Sequence, residues 1–138
     1  MSDRCVFCKI VAGDLPCARI YDSEYILSFL DIGPITPGHC LIVPKVHADR
    51  LELCDAAVLS ELGKTIGLIS KAVVRVTTCS GYNVLCNNGP DAGQIVPHVH
   101  FHIIPRESGD GLFNPWPAGS YDKGEIEKMT DRIRQSIC

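Results

Sequence analysis

Alternation of apolar and polar residues predicts five β-strands in this chain. The alternation is strictest in residues 94–105, where His98, His100 and His102 are separated by single apolar residues. Successive side chains of a strand point to opposite faces, so this spacing predicts three imidazoles on one face and apolar residues on the other. The other strands are predicted at residues 18–22, 25–30, 39–43 and 81–86, with loops at residues 31–38 and 87–93.

A helical period follows the third predicted strand. From Asp55 to Val76 apolar residues recur every three or four positions, which predicts one long amphipathic helix with Asp55 as its N-cap. A second helix is predicted over residues 122–137. It follows a segment rich in glycine and proline, residues 109–119, which contains the only tryptophan, Trp116.

These elements and the length of 138 residues predict a single α+β domain that occupies residues 1–138. Its predicted architecture is a five-stranded antiparallel sheet with one main packed helix over residues 3–106, followed by a C-terminal loop and helix over residues 107–138.

Charge and hydropathy exclude two classes of partner. The 13 basic and 16 acidic residues give a formal net charge of −3, without a basic block, so the chain is not expected to bind nucleic acid. No apolar run approaches the roughly 20 residues of a membrane span, and the polar N-terminus does not resemble a signal peptide. We therefore expect a cytoplasmic protein, also nuclear in a eukaryote, with no membrane partner. Its eight cysteines are then expected to be reduced thiols rather than a disulfide framework.

Two groups of residues are candidates for binding an anion or a metal ion. Three imidazoles on one strand face would be desolvated and crowded unless they bind something, so an anion or a metal is expected there. The pair Cys5 and Cys8 has a spacing that can present two thiolates to zinc, although a tetrahedral site needs two further ligands. A thioredoxin-like redox pair is the alternative, and it is disfavoured because no predicted strand precedes the motif.

Several blocks of the sequence resemble one protein family. The segment His98–Ile104 is similar to the signature of histidine triad (HIT) proteins, in which three histidines alternate with apolar residues. The resemblance extends to blocks at Cys5–Ile10, Phe29–Ile32, Pro37–His39, Val43–His47, Asn87–Gly89 and Gly93–Gln94. Together they resemble the zinc-binding type of the Hint-like branch of the family, which comprises nucleotide phosphoramidases. The resemblance implies a helix packed on an antiparallel sheet and a homodimer formed about a two-fold axis.

The resemblance implies a nucleotide hydrolase that acts on purine nucleoside phosphoramidates or related adenylates. An imidazole can attack phosphorus at neutral pH without a separate base, and its phosphorylated form is labile to water. By resemblance, His100 is the nucleophile that forms a nucleotidyl-histidine intermediate, with a backbone carbonyl bonded to its other ring nitrogen. His102 is expected to stabilise the transferred phosphate or to protonate the departing amine.

The same resemblance assigns the substrate contacts. Asp31 is expected to accept hydrogen bonds from the ribose hydroxyls, and Asn87, Gly93 and Gln94 to contact phosphate. Ile95 departs from the family pattern, because many relatives carry a hydroxyl residue there, and the missing hydrogen bond would cost about 1.5 to 3 kcal/mol. Trp116 is expected either to reach the leaving group or to pack on the domain. The expected apolar slot for the base consists of Val6, Phe7, Ile10, Phe29, Leu30 and Ile32.

By resemblance, Cys5, Cys8, His47 and His98 hold a structural zinc ion. Four nitrogen and sulfur ligands leave no open position for water, so zinc would organise the pocket without catalysing. No organic cofactor is expected. Two other functions remain open: a dinucleoside polyphosphate hydrolase, and a non-catalytic nucleotide-binding or scaffold protein, which the departure at residue 95 favours. A metal-dependent hydrolase is disfavoured because the expected metal site is closed.

Overall fold

The computed structural model describes residues 4–113 and 117–137, and an antiparallel sheet lies at their centre. The sheet has five strands in the order β1-β2-β3-β5-β4. The strands are β1 (Arg19–Asp22), β2 (Ile26–Leu30), β3 (Cys40–Pro44), β4 (Gly81–Leu85) and β5 (Phe101–Arg106), and the α-helices are α1 (Val6–Ala12), α2 (Ala56–Thr77) and α3 (Glu125–Ser136). Short 3-10 turns lie at Leu51–Leu53 and Pro90–Ala92. The predicted α+β class with a five-stranded antiparallel sheet is confirmed.

The central strands β2 and β3 are buried on both faces, because a helix covers each side of the sheet. Alternate residues of a strand point to opposite faces. On one face Ile26, Cys40 and Ile42 pack with Val58, Leu62, Ile69 and Val73 of α2. On the other face Leu27, Phe29, Leu41 and Val43 pack with Phe7, Cys8 and Ile10 of α1. Across the described ranges, none of the helices combines the length and hydrophobicity that a membrane crossing requires.

Helix α2 forms where the sequence predicts it, but its ends overhang the sheet. The helix has 22 residues and is therefore about 33 Å long, whereas five strands of five residues span about 24 by 17 Å. Val76, in the last turn, is consequently 82% exposed although it fits the apolar period. Leu59, at the flank of the apolar stripe, is also exposed.

Helix α1 was not predicted by the hydrophobic pattern. It has only seven residues, and two turns carry too few periods to be recognised in a sequence. Its start is capped by Cys5, whose Sγ accepts a hydrogen bond from the N–H of Cys8, and Gly13 ends it in a left-handed conformation with φ of 84°. The helix places the two cysteines and Phe7 beside the histidine row.

The prediction of one strand through residues 94–105 is wrong for its first half. Strand β5 begins at Phe101, so of the three histidines only His102 belongs to it. The reason is that the preceding backbone bonds elsewhere: the N–H of His98 donates to Val96, and the N–H of Val99 donates to the carbonyl of Ala48. Sheet pairing with β3 starts only at Phe101.

Candidate active site and metal site

A cavity of about 470 Å³ opens on the α1 side of the sheet. Both predicted catalytic histidines, His100 and His102, line it. So do Pro16, Cys17, Leu41 and Val96, which sequence reasoning did not select and which no motif singles out. The predicted substrate contacts that line it are Val6, Phe7, Ile10, Phe29, Leu30, Asp31, Ile32, Asn87, Gly93 and Ile95. Trp116 lies outside the described residues.

The imidazoles of the histidine triad form a row, and the rings of His100 and His102 line the cavity. The ring centroids of His100 and His102 are 4.9 Å apart, and Phe7 of α1 packs edge-on against His98 and His100 at 5.8 and 5.0 Å. His98 is fully buried and His100 is 6% exposed. The row continues past the triad to His39, whose ring lies 5.1 Å from that of His102. The sequence places His39 beside the Pro37–Gly38 turn but gives no spacing that would link it to the triad.

One hydrogen bond determines which nitrogen of His100 is free. Its Nδ1 lies 2.7 Å from the carbonyl oxygen of His98, and because a carbonyl only accepts, Nδ1 carries the proton. Nε2 then holds a lone pair, and it makes no hydrogen bond with a described residue. Burial lowers the pKa of His100, so the ring is neutral at pH 7. The backbone carbonyl that the sequence could not identify is therefore the one belonging to His98.

A hydrogen-bond relay sets the tautomer of His102. The backbone N–H of Ile35 donates to Nδ1 of His39 at 3.0 Å, so the proton of the neutral His39 ring is on Nε2. That Nε2–H lies 2.8 Å from Nδ1 of His102 and donates to it. The proton of His102 is therefore on its Nε2, and His102 offers a donor rather than a lone pair to the cavity.

Breaking this relay is expected to weaken His102 as a donor. In a His39→Leu variant the ring of His102 can adopt either tautomer, and for the nucleoside phosphoramidate that the family resemblance implies as substrate we expect kcat to fall about 10- to 100-fold with little change in KM. His39→Gln, which can present an amide N–H in place of Nε2–H, should recover part of the loss. The ¹⁵N chemical shifts of the His102 ring report its tautomer. An unchanged tautomer in His39→Leu would contradict the relay.

Burial and neighbouring imidazoles lower the pKa values of the histidines in this row. Desolvation, followed by the charges of His100 and His39, lowers the pKa of His102 to about 4, and desolvation also lowers the pKa of His39. An unfolded histidine titrates near pH 6.5, so between about pH 6.5 and 4 the unfolded chain binds more protons than the folded one. This contribution to stability is complete above pH 6.5 and is lost as the pH falls.

We expect acid to destabilise the protein measurably. One pKa unit corresponds to about 1.4 kcal/mol, so His102 alone should lower the free energy of unfolding by about 3 kcal/mol as the pH falls from 6.5 to 4. Urea unfolding at a series of pH values measures this loss, with His102→Gln as the control that removes the titrating ring. Equal pH dependence in the two proteins would refute the assignment to His102.

A second cluster lies beside the cavity and has the geometry of a zinc site. Single ligand atoms of Cys5, Cys8, His47 and His98 all lie within 4.8 Å of one another. The nitrogen–sulfur distances between neighbouring ligands are 3.3 to 3.6 Å, and the two Nδ1 atoms are 3.1 Å apart. A zinc tetrahedron with Zn–S of about 2.3 Å and Zn–N of about 2.0 Å has edges of about 3.5 and 3.3 Å. The four predicted ligands therefore fit zinc.

The outer hydrogen bonds of the two histidines also suit a metal. Nε2 of His98 donates to the carbonyl of Pro44 at 2.8 Å, and Nε2 of His47 donates to the carboxylate of Asp49 at 2.7 Å. Both acceptors lack protons, so both Nδ1 atoms present lone pairs towards each other. Partners of this kind orient metal-bound histidines.

A further group, Asp31, His39 and His102, also gathers possible ligands. Here the outer hydrogen bond argues against a metal. The N–H of Ile35 occupies Nδ1 of His39, so Nε2 must keep its proton and has no lone pair for an ion. We therefore assign this group to hydrogen bonding.

Two predicted substrate residues differ in what their side chains do. Gln94 is bonded within the protein: its Oε1 accepts from the N–H of Gly89 at 2.7 Å, and its Nε2 donates to the carbonyls of Asp49 and Val96. It holds the preceding turn in place. Ile95, the next residue, lines the cavity and is 92% exposed.

Asp31 follows the last residue of β2 and lines the cavity. Its Oδ1 accepts from the N–H of Gly33 at 2.8 Å, which fixes the side chain. Its Oδ2 lies 3.6 Å from Nε2 of His39.

Comparison with known proteins decides the family. A profile of the HIT domain matches residues 12–109. The chain belongs to the HIT family. Among HIT proteins, the adenosine 5'-monophosphoramidase hnt1 of Schizosaccharomyces pombe is 41% identical over 135 residues, which cover 96% of this chain and 98% of that protein. The adenylylsulfatase HINT3 of Arabidopsis thaliana is 37% identical over 145 residues, which cover 100% of this chain and 72% of that protein.

Solved HIT structures agree with the fold. The crystal structure of a HIT family protein from Bacillus anthracis superposes with a TM-score of 0.93 at 34% identity, over 100% of both chains. A zinc-bound histidine triad family protein from Mycobacterium smegmatis superposes with a TM-score of 0.74 at 32% identity, over 97% of this chain and 98% of that one. In this HIT chain, Cys5 and Cys8 precede the matched segment, so the candidate zinc cluster joins α1 to the HIT domain.

Proposed function

We propose that this HIT hydrolase cleaves purine nucleoside phosphoramidates or related adenylates through a nucleotidyl-histidine intermediate on His100. The observation that carries the proposal is the hydrogen bond from Nδ1 of His100 to the carbonyl of His98, because it leaves the Nε2 lone pair on a neutral, cavity-lining ring. Relatives named adenosine 5'-monophosphoramidase and adenylylsulfatase support the substrate class.

In the first step Nε2 of His100 attacks the α-phosphorus, the bond between phosphorus and the leaving group breaks, and the departing amine takes up a proton. In the second step water attacks the same phosphorus, the bond between phosphorus and Nε2 breaks, and the water gives up one proton to solvent, which leaves the nucleoside monophosphate and the free imidazole. The Nδ1–H bond to the carbonyl of His98 stabilises the charge that the ring acquires while it carries phosphorus. The net reaction consumes one water.

The relay through His39 favours one of the two roles considered for His102. A neutral ring with its proton on Nε2 can donate to an oxygen of the transferred phosphate, whose charge increases in the transition state. Its low pKa makes it a poor proton store, so we assign protonation of the amine to solvent at the cavity mouth.

The nucleoside would lie between α1 and the central strands. Phe7, Ile10, Phe29 and Leu41 give that end of the cavity an apolar surface suited to a flat base. Asp31 is placed where the apolar slot meets the histidines, and a carboxylate can accept from both ribose hydroxyls.

Zinc would be held by Cys5, Cys8, His47 and His98 and would act on structure alone. Four protein ligands close its coordination sphere, so the ion supplies a rigid link between α1 and the histidine row rather than a reactive water. Presence of zinc in the mycobacterial relative supports this assignment.

A homodimer would use the free edge of the sheet. Strand β4 is an edge strand with Tyr82 and Val84 exposed, and Leu68 and Val74 of α2 are exposed as well. An open edge next to an apolar helix face is the kind of surface that a second subunit covers in a two-fold dimer.

Intact-mass spectrometry tests the proposal. Rapid quenching during turnover of an adenosine phosphoramidate should reveal protein heavier by one adenylyl group, and the adduct should disappear in hydroxylamine or on longer incubation. A diadenosine polyphosphate offered under the same conditions should turn over more slowly. Turnover without any adduct would exclude the covalent route, and no turnover of either substrate would favour a binding protein.

A further inference from the structure

One segment of the loop that follows β3, residues 47–51, contacts both the candidate zinc cluster and the wall of the cavity. We call this segment the strap. Its first residue, His47, is one of the four candidate zinc ligands. Nε2 of His47 donates to the carboxylate of Asp49 at 2.7 Å. The orientation of this ligand therefore depends on a side chain two residues further along the strap.

The strap also holds the turn formed by residues 87–94. Nε2 of Gln94, at the end of the turn, donates to the carbonyl of Asp49 at 2.7 Å. Near the start of the turn, Oδ1 of Asn88 accepts a hydrogen bond from the N–H of Leu51 at 2.8 Å. Both ends of the turn are thus bonded to the backbone of the strap.

Between these two bonds the strap and the turn are in direct contact. A Cβ atom at Gly89 would lie 2.9 Å from Nη2 of Arg50, so the guanidinium packs against the bare backbone of the turn. Among the described residues, the remaining hydrogen bonds from the turn reach no further along the chain than Cys86 and Val96. The strap is therefore what links the turn to a distant part of the sequence.

The other side of the turn faces the cavity. Asn87 and Gly93 line it, and these are the residues that the proposed function places against phosphate. The strap also bonds to the histidine row, since the carbonyl of Ala48 accepts from the N–H of Val99 at 2.8 Å. A shift of the strap would consequently displace the polar wall of the cavity and the backbone between two of the histidines.

We propose that the strap couples the two sites, so that zinc on the cluster and phosphate on the turn each tighten the binding of the other. The metal fixes His47, and the fixed strap holds the turn in the arrangement that receives phosphate. The reverse effect follows by linkage, because a coupling free energy between two sites is reciprocal. Asp49 and Gln94 act as positioning residues. The inference rests on the proposed function, because it takes the turn to be the phosphate contact.

Zinc affinity measured with two ligands tests the coupling. The dissociation constant of zinc is obtained by competition with a chromogenic chelator, in the presence of saturating adenosine or saturating adenosine monophosphate. Both ligands fill the proposed base slot beside α1, so a difference between them reports the phosphate alone. We expect the monophosphate to lower the zinc dissociation constant about five- to tenfold relative to adenosine.

Two variants locate the coupling in the strap. Gln94→Leu removes the side-chain bonds of the turn, so it should abolish the difference between the two ligands while zinc still binds. In isothermal titration calorimetry the same change should weaken the monophosphate about fivefold and leave adenosine within about twofold, whereas general destabilisation would weaken both. Glu52→Ala is the matched control. This exposed carboxylate directly follows the strap and makes no hydrogen bond with a described residue, so the difference should persist.

Asp49→Ala tests the first link of the strap. Loss of the carboxylate that orients His47 should raise the zinc dissociation constant about 10- to 100-fold. Asp49→Asn should recover most of this affinity, because the amide oxygen can still accept from Nε2 of His47. An unchanged zinc affinity in Asp49→Ala would overturn the inference.

The inference and the proposed function can fail separately. Equal zinc dissociation constants with adenosine and with adenosine monophosphate would overturn the coupling and leave the hydrolase standing. Persistence of the full difference in Gln94→Leu would also overturn the role of the strap. Failure of the monophosphate to bind at all would overturn both the inference and the proposed function.

Discussion

Replacing His100 by alanine is expected to reduce turnover of an adenosine phosphoramidate at least about 10⁴-fold. Among the residues that the structure describes, the variant loses the one ring whose lone pair faces the cavity while its other nitrogen is bonded to a backbone carbonyl. Val99 is buried and Phe101 packs against the core under α2, and the proposed base slot is built from α1, β2 and β3, so the affinity for adenosine monophosphate should change by less than about threefold. Steady-state kinetics and isothermal titration calorimetry separate the two effects.

The matched control for this variant is His102→Ala. That change should slow both steps, yet still permit the nucleotidyl adduct to form, because the nucleophile is intact. An adduct in His102→Ala and none in His100→Ala would identify the attacking ring. If His100→Ala kept substantial turnover, the covalent route through this residue would be excluded.

Replacing Cys8 by serine is expected to release the metal and lower the melting temperature by more than about 10 °C. Zinc binding to structural sites contributes on the order of 10 kcal/mol, and one lost thiolate leaves three ligands around the ion. Without the ion, the Nδ1 lone pairs of His47 and His98 face each other at 3.1 Å, inside the protein. Loss of the ion should also destabilise α1, which forms one wall of the cavity.

Elemental analysis should find one zinc ion per chain in the unchanged protein and much less in the Cys8→Ser variant, with the melting curve recorded on the same samples. Cys54→Ser is the control, since Cys54 lies at the end of a 3-10 turn, outside the cluster. A chain that carries no zinc when it is produced in zinc-supplemented medium, or a Cys8→Ser variant that melts at the same temperature, would contradict the proposed role of the metal.

The sequence predicted which histidines come together, but it did not predict the hydrogen bonds that they make. Spacing alone brought His98, His100 and His102 together, because a period of two is a local property of extended backbone. It could not reveal the relay through His39, which is 63 residues away from His102. Nor could it show that His98 and His100 precede β5, because the carbonyl of Ala48 that receives the N–H of Val99 belongs to a distant loop.

Sequence reasoning also missed features at the edges of the site. Helix α1 was missed because seven residues are too few for a periodic signal, although its cysteine pair was recognised. Asp31 and the apolar slot came from the family resemblance, since a carboxylate before a loop and apolar strand residues have ordinary structural uses as well. Gln94 was expected to meet phosphate, and only the structure reveals three hydrogen bonds that occupy its side chain within the protein.

The alternation along β2 and β3 separates the wall of the cavity from the core beneath α2. Phe29 and Leu41 line the cavity, whereas Ile26 and Ile42, on the same two strands, point to the opposite side and anchor α2. Changes at the first pair would therefore alter both the proposed base slot and its packing against α1, whereas the second pair would continue to hold α2. Mutational libraries aimed at new nucleosides would need to vary Phe29 and Leu41 together with the α1 residues that pack on them, and could leave Ile26 and Ile42 unchanged.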